Sequence, residues 1–308
     1  MIQPGKVVVI GAGFVGSTAA YAMLIEGVAR EIVILDIHKE KAEGEALDLE
    51  HGMQFVPGAK MSFGTDYKLV KGAQIVVITA GANQKPGQSR RDLFVINANI
   101  VKSIVKSVVA VNKECIILMV TNPVDALTYV AWKASGLPRE RVFGSGTTLD
   151  TARLRFYLGE MMGVYPQGIH AYMLGEHGDS EFPGWSAASV GGVDLQKSKV
   201  WNTAKMEQAA LKTKRAAYEI ISRKGATYYA IGLVIARLVR DMLDDTRSIM
   251  PLSMVLKGEY GLNGVSLGVP AVLGASGAQI KQELPLNAEE KKKLRISAKI
   301  IKDLIDKL

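Results

Sequence analysis

Short β-branched runs, bounded by glycine or by polar loops, recur through the first half of the chain, and stretches with helical spacing separate them. Lys6 to Ile10, Glu31 to Leu35, Ile75 to Thr79 and Ile116 to Val120 are largely apolar runs of strand length, the pattern of strands covered on both faces. The first run enters Gly11-Ala12-Gly13-Phe14-Val15-Gly16 and then an amphipathic helix reaching about Glu26. Strands alternating with helices predict an α/β fold built on a doubly wound parallel sheet. After about Gly144 the texture changes. One long helical pattern from Lys199 to Leu243 precedes short strand-like pieces around Met250 to Leu256 and Gly264 to Leu273. A closing helix follows, with Asn287 and Glu290 spaced as a capping box. No repeat, low-complexity tract or flexible linker separates the halves, so they are expected to pack directly, with a ligand cleft between them.

The glycine spacing gains meaning from its strand-to-helix context. There Gly11 takes the tight turn, Gly13 lets a pyrophosphate approach the backbone, and Gly16 lets helix and strand pack closely. The unpaired amides at the helix N-terminus face the phosphates. Asp36 ends the second strand, at the distance from Gly16 where a carboxylate accepts from both ribose hydroxyls. It would repel a 2′-phosphate, and Ile37 supplies no compensating charge, so the expected cofactor is NAD rather than NADP. The loop from Gly81 to Asp92 follows a strand at its carboxyl end, and its Pro86-Gly87 pair with Arg90 and Arg91 suits a closing lid. Thr121-Asn122-Pro123-Val124-Asp125 brings an amide to the same rim.

Composition removes several other classes. A net charge of +8 invites a nucleic-acid reading, but the positive residues are dispersed. The densest run, Lys291-Lys292-Lys293, opens a helix whose Leu294, Ala298, Ile301 and Ile305 recur at helical spacing, so it is a solvated face. The excess charge suits small anionic ligands, and no nucleic-acid partner is expected. Lys6 and the apolar stretch to Ala19 and Ala20 mimic a secretion signal, but glycines interrupt it. No run reaches the roughly 18 apolar residues of a membrane span. Cys115, the single cysteine, cannot form an internal disulfide and adjoins an apolar run, which implies a buried thiol and a reducing cytoplasm. No metal is expected.

The chemistry is densest where Leu149-Asp150-Thr151-Ala152-Arg153 is followed by Leu174-Gly175-Glu176-His177-Gly178-Asp179-Ser180. These segments supply an imidazole to donate a proton, a carboxylate to hold it in the donating state, and a guanidinium to anchor a substrate carboxylate. Beside a nicotinamide cofactor, they are what hydride transfer to a small 2-oxo acid requires.

In order and spacing, the glycine motif, Asp36, the lid, Thr121-Asn122-Pro123 and these two segments resemble the lactate/malate dehydrogenase superfamily over essentially the whole chain, and within it the bacterial L-lactate dehydrogenases. The resemblance implies a Rossmann NAD-binding domain over residues 1–144 and an α+β substrate domain over 145–308. It implies that His177 is the general acid and base, that Asp150 holds its other ring nitrogen, that Arg153 grips the substrate carboxylate, and that Arg90 polarises the carbonyl. Val15, Lys41, Tyr67, Gly81, Ala82, Ser103, Val120, Thr121, Asn122 and Ser145 match cofactor-lining positions. Gln84, Asn122, Asp125 and Thr227 match substrate-side positions. The implied reaction interconverts pyruvate and L-lactate. A malate or branched 2-hydroxy acid dehydrogenase stays open beside it, as does a non-catalytic NAD-binding sensor or structural protein, against which the intact catalytic set argues. The lid departs from most relatives by carrying Gln88 in place of an acid and Arg91 in place of an aliphatic residue.

Arg155 and His170 remain to be placed. On a helix Arg155 points about 200° away from Arg153, and His170 lies seven residues before His177 across an apolar run. The pair matches the one with which effector-regulated bacterial relatives bind fructose 1,6-bisphosphate across a subunit interface, which implies an effector-activated homotetramer. With its first strand so close to Met1, the chain is expected to lack the N-terminal arm of vertebrate relatives.

Overall fold

The computed structural model describes residues 5–82 and 90–308, the side chains of residues 90 and 91 excepted. The first half runs β1 (Lys6–Ile10), α1 (Phe14–Ile25), β2 (Glu31–Leu35), α2 (Lys39–His51), β3 (Lys60–Gly64), β4 (Ile75–Ile78), α3 (Arg90–Val111), β5 (Ile116–Met119), α4 (Val124–Ser135) and β6 (Val142–Gly144). Its strands pair in the order β3-β2-β1-β4-β5-β6, all parallel. The order reverses beside β1, so the carboxyl ends of β1 and β4 flank the crevice where open α/β sheets take ligands. Val7, Val8, Val9, Ile32, Val33, Ile34, Val76, Val77, Ile117 and Leu118 are fully buried. Each such side chain contributes about 1.5–3 kcal/mol by leaving water, which is why continuous apolar runs marked these strands. The sequence reading did not resolve β3 and β6. β3 is an edge strand and mostly half-buried, and β6 has only three residues.

The second half runs α5 (Thr148–Met162), β7 (Ile169–His170), β8 (Met173–Leu174), β9 (Phe182–Pro183), β10 (Ser189–Val190), β11 (Val193–Asp194), α6 (Thr203–Lys224), α7 (Tyr229–Leu243), β12 (Ser248–Lys257), β13 (Asn263–Gly274), β14 (Gly277–Gln279) and α8 (Ala288–Ile305). The helical pattern expected from Lys199 to Leu243 is thus two helices. Asn202 caps α6 by accepting from the Lys205 N–H, and Gly225, at φ +81°, ends it in the left-handed region. The expected short strand pieces are long strands in an antiparallel hairpin, and β12 joins β6 through Ser253 opposite Gly144. The second half therefore extends the parallel sheet with antiparallel strands to nine in all. A Cβ at Gly144 would lie 2.4 Å from Thr128 Oγ1 and 2.9 Å from Ser253 Cβ, so the joint requires glycine.

α7 packs along α1 so closely that a Cβ on Gly232 would come within 2.6 Å of Thr18 Cγ2. Phe14, first residue of α1, stacks on Tyr228 with ring centroids 5.1 Å apart. That contact fixes the loop carrying Thr227 beside the N-terminal end of α1. α3 is apolar and long enough over Asp92–Val111 to cross a membrane by length and composition. Its Phe94, Ala98, Val101, Val105 and Val108 are instead buried in the core shared with the sheet. In α8 the Asn287–Glu290 capping box is formed, and Lys291, Lys292 and Lys293 are exposed while Leu294, Ala298, Ile301 and Ile305 are buried. Cys115 is fully buried, and burial pushes its thiol up to about 11.

Candidate active site

The turn after β1 separates the three glycines by cause. Gly11 has φ +114°, and a Cβ there would lie 2.7 Å from the Ala80 nitrogen. A Cβ on Gly16 would fall 1.9 Å from the Gly11 carbonyl oxygen. The fold itself demands both. At Gly13 a Cβ would meet nothing within 4 Å among the described residues, so none of them requires glycine there. An open backbone at that point suits the close approach of a phosphate. Gly13 also provides no side chain to cap α1, whose first amides stay available. Asp36 completes the cradle: Oδ2 accepts from the Ala12 N–H at 2.7 Å and Oδ1 from the His38 N–H at 2.9 Å. Each oxygen keeps a further lone pair for a ribose hydroxyl.

The rim after β4 and β5 is tied by Asn97, a buried residue of α3 that the sequence reading missed. Its Oδ1 accepts from the Ala82 N–H at 2.7 Å, and its Nδ2 donates to the Asn122 carbonyl at 3.1 Å. The signal was a polar residue between Phe94 and Ala98 on the inward stripe of an amphipathic helix. Thr121 Oγ1 donates to the Ala80 carbonyl at 2.8 Å, and a Cβ on Gly81 would lie 2.4 Å from Thr121 Cγ2. Val120 and Ser145 are buried next to these loops. The Asn122–Pro123 peptide is cis.

Asp150 and Arg153, three residues apart on α5, share a helix face. Asp150 Oδ2 lies 2.6 Å from His177 Nδ1, and its Oδ1 accepts from Arg153 Nη1 at 3.0 Å. The approach of helix and loop is fixed from both sides of Asp150. Thr147 Oγ1 donates to the Met173 carbonyl at 2.7 Å, and Thr151 Oγ1 accepts from the Met173 N–H at 2.9 Å. Gly175, at φ +94°, exchanges backbone hydrogen bonds with Gly268 of β13. The chain then turns so that the His177 N–H donates to Asp125 Oδ2 at 2.7 Å. Asp125 Oδ1 accepts from Ser253 Oγ at 2.6 Å. With both oxygens engaged and the residue 1% exposed, Asp125 anchors the histidine loop.

The charges follow from that packing. Asp150's negative charge, working against burial, raises His177 to about 9. Burial opposes the ionisation of Asp150, but the His177 charge and hydrogen bond hold its carboxyl below the usual range. Burial pushes Asp125 up to about 6, with Ser253 opposing. A third acid, Glu181, is 3% exposed beside the pair and was not foreseen. Ligand atoms of Asp150, His177 and Glu181 lie within 4.8 Å of one another. A dication there would face the Arg153 guanidinium, which favours proton chemistry over metal binding. With Nδ1 held by Asp150, Nε2 is the ring nitrogen left to exchange a proton.

Comparison with known proteins matches this arrangement end to end. The family model described as lactate/malate dehydrogenase, NAD binding domain covers residues 5–144, and the one described as lactate/malate dehydrogenase, alpha/beta C-terminal domain covers 147–308. The chain belongs to the lactate/malate dehydrogenase family. It is 47% identical to L-lactate dehydrogenase 1 of Clostridium acetobutylicum, over 98% of each chain. It is 49% identical to an L-lactate dehydrogenase of Kosmotoga olearia, over 98% of this chain and 96% of that one. The crystal structure of a minor L-lactate dehydrogenase from Enterococcus mundtii superposes with a TM-score of 0.96 at 43% identity, covering 99% and 98% of the two chains. The cofactor of this dehydrogenase family is NAD, and the glycine cradle with Asp36 fits it.

The remaining positions singled out in the sequence take varied places in this dehydrogenase fold. Val15, Tyr67 and Thr227 are half-buried, whereas Lys41 on α2 and Ser103 on α3 are exposed. Arg155 donates from Nε to the Ala171 carbonyl at 3.0 Å, and its guanidinium lies 4.9 Å from the Tyr172 ring centroid. His170, the residue before Ala171, is exposed on β7. Gln84 and the side chain of Arg90 lie outside the described residues, as do Gln88 and the side chain of Arg91.

Proposed function

We propose that this chain is an NAD-dependent L-lactate dehydrogenase that interconverts pyruvate and L-lactate. The observation that carries the reading is the His177–Asp150–Arg153 cluster, set on α5 and the loop after β8 in a chain whose relatives bear that name. When bound in the glycine cradle, NADH supplies the hydride. His177, protonated, gives its Nε2 proton to the carbonyl oxygen during reduction and takes it back during oxidation. Asp150 keeps the ring in the donating tautomer and stabilises the imidazolium. Arg153 has one N–H on Asp150 and further donors for a two-point grip on the substrate carboxylate. Arg90, arriving with the lid, polarises the carbonyl. Gln84, Asn122 and Thr227 complete the substrate side, and Val15, Lys41, Tyr67 and Ser103 line the cofactor. Absorbance of NADH, followed over a panel of 2-oxo acids, tests the reading. Pyruvate should be preferred, and a preference for oxaloacetate or a branched 2-oxo acid, or no turnover at all, would overturn it. The lone buried Cys115 supports placement in a reducing cytoplasm.

Asp36 gives the cofactor assignment its own test. Replacing it with alanine removes hydrogen bonds between a charged acceptor and the ribose, together with the repulsion of a 2′-phosphate. Asp36→Ala should weaken NADH binding by about tenfold or more and narrow the preference over NADPH. Fluorescence titration with both cofactors measures this, and equal use of NADPH by the unmodified protein would show that Asp36 does not read the ribose.

We further infer a homotetramer activated by fructose 1,6-bisphosphate through Arg155 and His170. Its support is that Arg155 is held to the carbonyl of Ala171, the residue following the exposed His170, which brings the two basic residues to one stretch of the surface. Phosphates bound between like-charged patches would relieve repulsion and favour the assembled active form, a coupling of typically about 1–3 kcal/mol. The bisphosphate should lower the pyruvate concentration needed for half-maximal rate, most strongly at low protein concentration. Kinetics unmoved by millimolar effector, or activation that survives Arg155→Gln with His170→Ala, would remove the site.

A further inference from the structure

Glu181 is a buried acid to which the reaction above gives no task. It sits four residues after His177 at the entry to β9, 3% exposed, and its Oε2 is wholly buried without a hydrogen-bond partner among the described residues. Its carboxyl shares a space under 5 Å across with the Asp150 carboxylate and the His177 ring, one ligand atom of each lying within 4.8 Å of the others. Asp150 already receives His177 Nδ1 on one oxygen and Arg153 on the other, but each oxygen accepts a second bond.

We propose that Glu181 is a positioning residue of this site, a neutral carboxylic acid that donates its O–H to Asp150 and completes a Glu181–Asp150–His177 chain. The chain holds the imidazole and sets the pH at which it yields its proton. The proposal rests on the reading of His177 as the proton donor. Two buried carboxylates in contact do not both stay ionised, and the one without cationic partners takes the proton. Asp150 is hydrogen-bonded to both His177 and Arg153, whereas Glu181 feels His177 and Lys214 only at longer range. Protonation also turns a bare buried acceptor into a donor aimed at an anion, which removes the cost of the unsatisfied oxygen. Burial first, then the charge of Asp150, push Glu181 up to about 9, in the same direction. The charged groups that act on it are Asp150 from α5, His177 from its own loop and Lys214 from α6; behind them, Arg153 of α5 faces Asp150, Asp125 of α4 faces His177, and Glu176 faces Asp125. With Glu181 neutral, Arg153 balances Asp150, and only His177 changes charge during turnover.

Glu181→Gln and Glu181→Met in the full chain test this. Gln keeps a neutral donor and should slow reduction only about twofold to fivefold, with the pH midpoint of kcat/KM for pyruvate nearly in place. Met keeps the volume and loses the donor, so kcat should fall about ten- to a hundredfold, as for loss of a hydrogen bond to a charged group. NADH affinity should hold, and the midpoint should move up because Asp150 then acts undivided on the imidazolium. A midpoint that drops by a unit or more in Glu181→Gln would reveal that an anion had been removed, and would overturn the proposal. Equal loss in both variants would do the same. Independently of turnover, the infrared difference between unmodified protein and Glu181→Gln at neutral pH should contain the carbonyl stretch of a protonated carboxylic acid. Its absence would overturn the proposal even if His177 proves to be the acid, and its presence would stand even if another residue supplies the catalytic proton.

Discussion

Asparagine at position 177 should leave NADH binding intact and slow pyruvate reduction by a factor of about 10² to 10⁴. The amide fills much of the imidazole's volume and can still reach Asp150, but it has no proton to give at the carbonyl oxygen. Only the chemical step is lost. The unmodified protein should show the matching pH dependence. Because Asp150 raises His177 to about 9, the protonated form that reduction needs persists through neutral pH and is lost as pH rises through that value. Lactate oxidation needs the neutral ring and should rise over the same range. Asp150→Asn removes the charge that raises the imidazole, so the midpoint should move down and reduction at neutral pH should slow. Stopped-flow traces and pH profiles with both substrates measure all of this. A His177→Asn variant that keeps more than about a tenth of the parental rate would mean that another residue is the acid.

How much of this was legible in the chain depended on how local each cause was. β1, β2, β4 and β5 announced themselves because parallel strands buried on both faces must be apolar without interruption. β3, an edge strand with polar Lys60 and Ser62, and β6, three residues long, lack that signature. The apparent long helix over 199–243 hid its break because Gly225, Ala226 and Thr227 interrupt the helical spacing only briefly. Gly11 and Gly16 were readable from spacing, since the turn that requires them is built within the motif. Asp150 and His177 were readable as types, but their 2.6 Å contact depends on β8 and the Gly268 bonds. Asp125 shows the same dependence on distant contacts. Its partners Ser253 and His177 are far away in sequence, so its anchoring of the histidine loop was not legible locally. Asn97 was legible in principle, as a polar residue on the inward stripe of α3, whereas the burial of Glu181 follows only from which elements meet.

Exchanging Gln84 for arginine should move preference from pyruvate toward oxaloacetate by about a thousandfold in the ratio of kcat/KM values. The residue lies outside the described residues, and its charge alone sets the expectation. Oxaloacetate carries a second carboxylate where pyruvate has a methyl group. On the proposed reading position 84 faces that group, and a neutral glutamine there would leave the extra charge without a partner in a site closed to water, at a cost on the order of several kcal/mol. Arginine supplies a bidentate partner and at the same time presents an unpaired buried cation to the methyl of pyruvate, so both halves of the ratio move. The effect should appear in kcat as well as KM, because a lid that cannot close over a mismatched charge fails to bring Arg90 to the carbonyl. Steady-state kinetics with the two 2-oxo acids at matched pH and saturating NADH measure the ratio. A parent protein that already favours oxaloacetate, or a ratio left unchanged by the substitution, would show that position 84 does not face the substrate side chain.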